Sequence, residues 1–124
     1  MAITFEPLPE WLQDELLFKV EEKLTHLRIP RSLDGFDYLA LAIAQVAQNP
    51  VRTRYITKDL YPEIAKLRGT SASNVERTMR TAVKVCWDRG GRRTLDEMAH
   101  YHLTERPTNS QFIDLVATNI RHTG

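Results

Sequence analysis

Apolar residues recur three and four positions apart along nearly the whole chain, and no stretch alternates long enough for a strand. The pattern predicts an all-α fold. Trp11, Leu12, Leu16, Val20, Leu24 and Leu27 mark one face of a first helix, which Pro9 opens and Pro30 closes. Leu39, Ala40, Ile43, Ala44 and Ala47 define a second, with Asp34 or Asp37 as N-cap and Pro50 at its end. Thr94 with Glu97, and Thr108 with Gln111, have the spacing of capping boxes, in which two side chains reciprocally satisfy free backbone N–H groups. These pairs are expected to open two further helices, the last with Phe112, Ile113, Val116 and Ile120 on the stripe that closes the core.

The stretch from Ile56 to Gly90 is the most informative. Pro62 lacks an N–H and its ring clashes with a preceding helical turn, so a regular helix starts near Tyr61, with Thr57 to Leu60 as a turn leading in. Ile64, Ala65 and Leu67 are expected to face inward, Gly69 supplies a left-handed C-cap, and Thr70 to Ala72 form a connection. Ser73 and Glu76 then have capping-box spacing. Val75, Met79, Ala82, Val83, Cys86 and Trp87 fall on one stripe before Gly90 and Gly91 stop the helix, which covers about 72–89.

At about 100° per residue, Ser73, Arg77, Arg80, Thr81 and Lys84 lie opposite that stripe, with Asn74 and Glu76 on its flanks. A short helix, a tight turn at a glycine and a longer helix with one apolar and one basic polar face form a helix-turn-helix signature, here over about 57–90. The planar fork of arginine fits the O6 and N7 acceptors of guanine, and a glutamate can accept from a cytosine amino group. Residues near the N-terminus of such a helix reach deepest into the major groove, which favours Asn74, Glu76, Arg77 and Arg80 as base readers. Ser73 sits at the same end, where a capping hydroxyl is compatible with a phosphate contact, and Lys84 lies further along as a phosphate contact.

Charge supports that reading once the chain is divided. The net charge of 124 residues is only +1, but eleven basic residues stand against four acidic ones between Arg52 and Arg93, a surplus of seven. The remainder holds six basic and twelve acidic residues. A cationic third in an otherwise anionic chain is an electrostatic footprint for a polyanion. A composition of 42% hydrophobic and 27% charged residues is that of a single globular domain, taken as residues 1–124, and leaves no room for a second module. The chain shows neither an apolar run long enough to span a membrane nor a signal-peptide pattern at its start, so the expected location is the cytoplasm, on the nucleoid. The single cysteine, Cys86, rules out a disulfide scaffold or a Cys-rich zinc site.

At this point three strings carry a family resemblance: ITKDLYPEIAK (56–66), SASNVERTMRTAVKVCWDRGG (71–91) and RPTNSQFIDLVATNIR (106–121). In this order they resemble the C-terminal DNA-binding effector domain of the sporulation initiation response regulators of endospore-forming Firmicutes. The similarity runs from about Leu24 to the C-terminus and includes IPRSLDGFDYLALAI. The resemblance implies about six helices around a helix-turn-helix, in a winged-helix-like superfamily but without a wing. It implies binding to short promoter boxes, often as tandem copies. The matching positions Glu76, Arg77 and Arg80 face bases in that family, and neighbouring polar and basic positions meet phosphates, which adds Thr57, Lys58, Thr81 and Arg92 to Ser73 and Lys84. The chain departs from the pattern in three respects: it opens almost directly with the effector, without a receiver domain, Cys86 stands where alanine is expected, and Thr81 stands where a larger hydrogen-bonding residue is expected. The start MAIT favours a stand-alone paralogue over an excised domain.

Simpler readings apply to the other conspicuous side chains. Tyr61, Trp87 and Phe112 have the spacing of core residues, and Cys86 that of a small, inert buried group. His100 and His102 are two apart, wrong for one helical face and so for a metal site, while His26 and His122 read as surface residues. Ser73 has no His and Asp arrangement that would make it a nucleophile. The expectation is a sequence-specific DNA-binding transcription regulator rather than an enzyme. Its partners are double-stranded DNA, RNA polymerase and a second copy on DNA, with no cofactor, metal or membrane. The alternative is a protein-interaction module that keeps the fold without specific DNA affinity.

Overall fold

The computed structural model describes residues 10–50 and 55–123, without the side chains of residues 10–12, 57 and 123. Pro9 and the side chains of Trp11 and Leu12, which the periodicity assigns to the first helix, lie outside the described residues. Six α-helices are present among those described: α1 (Glu10–His26), α2 (Asp34–Gln48), α3 (Tyr61–Arg68), α4 (Ala72–Asp88), α5 (Arg92–Ala99) and α6 (Asn109–Thr123). No strand occurs among them, and α5 follows α4 after a short connection.

Helix α2 is central and touches α1, α3, α4 and α6. It owes this place to small residues: Ala40, Ala42 and Ala44 are all buried, as are Leu39, Ile43 and Val46. Gly35 brings the closest approach, because a Cβ there would lie 2.6 Å from the Thr78 carbonyl oxygen and 2.7 Å from the Ala82 Cβ. The α2 backbone therefore presses directly on the middle of α4, at a spot where only glycine leaves room. Val20, Leu24 and Leu27 from the first helical segment and Phe112, Ile113, Val116 and Ile120 from α6 complete one continuous core.

Several local expectations are corrected by tertiary contacts. Neither aspartate caps α2: the N-cap is Leu33, with no side-chain cap bond. Because α2 begins at Asp34, Asp37 lies inside its first turn and pairs with Arg68, accepting from Nε at 2.7 Å and Nη2 at 3.0 Å. Helix α1 ends before Pro30, where Arg28 adopts a left-handed conformation (φ 68°) and the Ile29 N–H bonds the Leu24 carbonyl at 3.2 Å. Helix α5 starts at Arg92, with Gly91 as N-cap, so Thr94 lies inside its first turn and caps nothing. The Leu95 N–H to Gly91 carbonyl bond, 3.0 Å, begins the helix ahead of the threonine. The Thr108 and Gln111 capping box does form: the Thr108 N–H donates to Gln111 Oε1 at 2.9 Å and the Gln111 N–H to Thr108 Oγ1 at 3.1 Å.

His100 and His102 lie in the connection after α5, not on a helix. Asp96 stitches that connection down, taking the Leu103 N–H at 2.9 Å and lying 2.8 Å from His102 Nδ1. The Leu103 N–H first and the imidazole second hold its carboxyl below the usual aspartate range.

Candidate nucleic-acid interface

The segment before α3 is a π-helical turn, Ile56–Leu60, continuous with the helix rather than a loose lead-in. Its wide turn places Ile56, Leu60 and Tyr61 all inward and so sets the phase of α3, which buries Tyr61, Ile64 and Ala65. Leu67, expected inside, is 61% exposed: within α3 it lies about 200° around the helix from the buried Ala65. Pro62 lies in the first turn of α3, where its missing N–H costs nothing, and Gly69 closes the helix in the left-handed region at φ 67°.

The connection to α4 is only Gly69 to Ser71. The N-cap is Ser71, not Ser73: backbone geometry is extended at Ser71 (φ −100°, ψ 155°), and its Oγ accepts the Asn74 N–H at 3.1 Å. The helix starts two residues earlier than the Ser73 and Glu76 spacing predicted, directly after the turn at Gly69. The inner stripe of α4 is as the spacing predicts, with Val75, Met79, Ala82, Val83, Cys86 and Trp87 all buried. Burial pushes the Cys86 thiol up to about 12, so it stays protonated.

The opposite face exposes Ser73, Arg77, Arg80, Thr81 and Lys84, while Asn74 and Glu76 are half-buried at its edges. Its side chains are held in pairs. Arg80 Nη1 donates to Glu76 Oε1 at 2.8 Å, and Arg77 Nη2 to Asn74 Oδ1 at 2.9 Å; the Asn74 amide in turn donates to Thr70 Oγ1 at 2.9 Å. Lys84 pairs with Asp88, whose carboxyl that bond holds below its ordinary value, and the Thr81 hydroxyl donates to the Arg77 carbonyl at 3.2 Å. Arg92 lies just beyond the C-terminal end of α4. Its Nε donates to the Trp87 carbonyl at 2.9 Å and its guanidinium carbon sits 4.1 Å over the Trp87 ring. Lys58 is exposed on the π-helical turn, and the Thr57 side chain lies outside the described ones.

One polar group at this site is invisible to periodicity. Asn109, at the start of α6 and only 7% exposed, donates from Nδ2 to the Tyr61 hydroxyl at 3.1 Å and to the Glu76 backbone carbonyl at 3.0 Å. It borders a groove of about 650 Å³ beside Glu76 and Arg80, whose other wall includes Arg106, Thr108 and Ser110. The RPTNS string signals a helix start; nothing in it says that this start abuts α4. Burial raises the Tyr61 phenol above its ordinary value, only partly opposed by the Asn109 bond.

A short helix, a three-residue turn and a longer helix with a buried inner stripe and a basic outer face make this a helix-turn-helix DNA-binding domain. Residues 20–120 match the family described as sporulation initiation factor Spo0A C terminal, and the chain belongs to that family. It is a family of DNA-binding domains of transcription regulators and not one of enzymes. Among the described residues no helix is long and apolar enough to cross a membrane.

Proposed function

We propose that the chain regulates transcription by reading a short promoter box with α4. Asn74, Glu76, Arg77 and Arg80 make base contacts, and Thr57, Lys58, Ser73, Thr81, Lys84 and Arg92 meet phosphates. The observation that supports this reading best is the exposed face of α4, basic and polar along its length, back to back with a fully buried stripe. In the free protein the two arginines are engaged with Glu76 and Asn74, but exposed helix pairs at this spacing are worth only about 0.2–0.5 kcal/mol each. Releasing the arginines to a guanine edge therefore costs little, and a bidentate guanine contact supplies about 1–3 kcal/mol of discrimination. The Arg92 contact with phosphate runs through its Nη groups, since Nε is committed to the Trp87 carbonyl.

A single recognition helix contacts few base pairs, so the reading includes two copies on adjacent boxes, aligned by DNA rather than by a preformed dimer. RNA polymerase is the further partner that regulation at a promoter calls for. The test is fluorescence anisotropy with a family-type box and with its scramble, each at several salt concentrations. The box is expected to bind about 10³-fold more tightly or better, with a counterion-release slope on both DNAs. Equal or absent binding overturns the proposal and leaves a protein-interaction module. With two boxes, a change of spacing by about half a helical turn should abolish cooperativity; independent filling at every spacing removes the tandem arrangement.

A further inference from the structure

We infer that Asn109 is the positioning residue that fixes the roll of the recognition helix, and through it the base preference of Glu76 and Arg80. The inference rests on the reading that α4 contacts bases. Almost everything that holds α4 to the core is apolar: Val75, Met79, Ala82, Val83, Cys86 and Trp87. Apolar packing is strong but non-directional, and methionine adapts readily to small shifts of its neighbours. Such a seam fixes depth better than rotation. A side chain about 5–6 Å from the helix axis moves by about 1 Å when the helix rolls by about 10°, enough to misalign a bidentate base contact.

Asn109 supplies direction at the N-terminal half of α4, where the base-reading side chains stand, as the Arg92 Nε bond to the Trp87 carbonyl does at its C-terminal end. Its amide makes two bonds at once, to the Glu76 carbonyl on α4 and to the Tyr61 hydroxyl on α3, from a backbone position that the Thr108 and Gln111 capping box already holds. Three helices therefore meet at one side chain. The carbonyl it grips belongs to Glu76, whose carboxylate holds Arg80 at 2.8 Å. The amide orientation is dictated by chemistry, since turning it over would set its oxygen against the Glu76 carbonyl, acceptor against acceptor. In the observed orientation Nδ2 makes a bond to each of its two acceptors.

Asn109→Ala removes both bonds, and Tyr61→Phe removes only the one to α3. Each is measured with the parent on the box and on its scramble, across salt, at a temperature where circular dichroism shows the variant folded. Asn109→Ala should lower the box-to-scramble affinity ratio by about fivefold or more, the low end of what one bidentate base contact is worth, and leave the salt slope unchanged. Tyr61→Phe should keep most of the ratio. A purely structural role for Asn109 would lower the melting temperature and leave the ratio of the folded protein intact, which overturns the inference while base reading stands. Loss of discrimination by Tyr61→Phe equal to that by Asn109→Ala overturns the assignment to the Glu76 carbonyl. A parent that does not discriminate fails the base-reading proposal itself. Should Asn109→Ala not fold, Asn109→Ser, which stays polar but falls short of the Glu76 carbonyl, is judged by the same ratio.

Discussion

Replacing Trp87 with alanine tests whether the inner stripe of α4 carries the stability of the domain. Trp87 is 9% exposed, so about nine-tenths of a side chain of about 200 Å² leaves water on folding. At about 25 cal/mol per Å² this is about 4.5 kcal/mol, and about 3–4 once a partly collapsed unfolded chain is the reference. The Arg92 guanidinium over the ring adds about 0.5–1 kcal/mol, which the variant also loses. The bond from Arg92 Nε ends on the Trp87 backbone and survives the change, so the loss reports packing and not a detached α5. Trp87→Ala should therefore cost about 3–5 kcal/mol. With 124 residues and about 2.1 cal/mol/K of unfolding entropy per residue, that lowers the melting temperature by about 11–19 °C. Urea and thermal unfolding followed by far-ultraviolet circular dichroism measure it, with Trp87→Phe, which keeps a ring beneath Arg92, losing clearly less. A Trp87→Ala protein melting within about 3 °C of the parent would refute both the burial arithmetic and the seam it assumes.

Gly35→Ala should cost about 1–3 kcal/mol in the same melts, since the new methyl would have to displace the Thr78 carbonyl or the Ala82 side chain; an unchanged melt would show that α2 and α4 can slide apart freely. Arg77→Ala should lose about 1–3 kcal/mol on the promoter box and relax base preference, whereas Lys84→Ala should weaken box and scramble alike and reduce the salt slope by about one; a selective loss of box binding in Lys84→Ala would reverse the two roles. Because burial raises the Cys86 thiol to about 12, the reactive thiolate is almost absent at pH 8, and a thiol reagent should label the native protein only as fast as it unfolds. Labelling within seconds under native conditions would show the thiol to be accessible.

What the sequence by itself determined follows from short-range periodicity. The buried stripe of α4, the basic face behind it, the glycine turn and the Thr108 capping box each need only residues a few positions apart, and a single helix realises them wherever it packs. Hence the all-α class and the helix-turn-helix were legible, and the match over residues 20–120 agrees with the resemblance carried by the three strings. Tertiary structure decided what depended on partners distant in the chain. The spacing of Ser73 and Glu76 pointed to Ser73 as the cap of α4 and left Asp34 and Asp37 open for α2; in the fold Ser71 caps α4, and Asp37, inside the first turn of α2, pairs with Arg68, 31 positions away. Leu67 lies about 200° around α3 from Ala65 at 100° per residue, and packing that buries Tyr61, Ile64 and Ala65 leaves it in solvent. Asn109 reaches Glu76 across 33 positions and Tyr61 across 48, because α6 returns beside α4. A hydrogen bond needs its partner within about 3 Å, and which distant residue arrives there is set by how the helices pack.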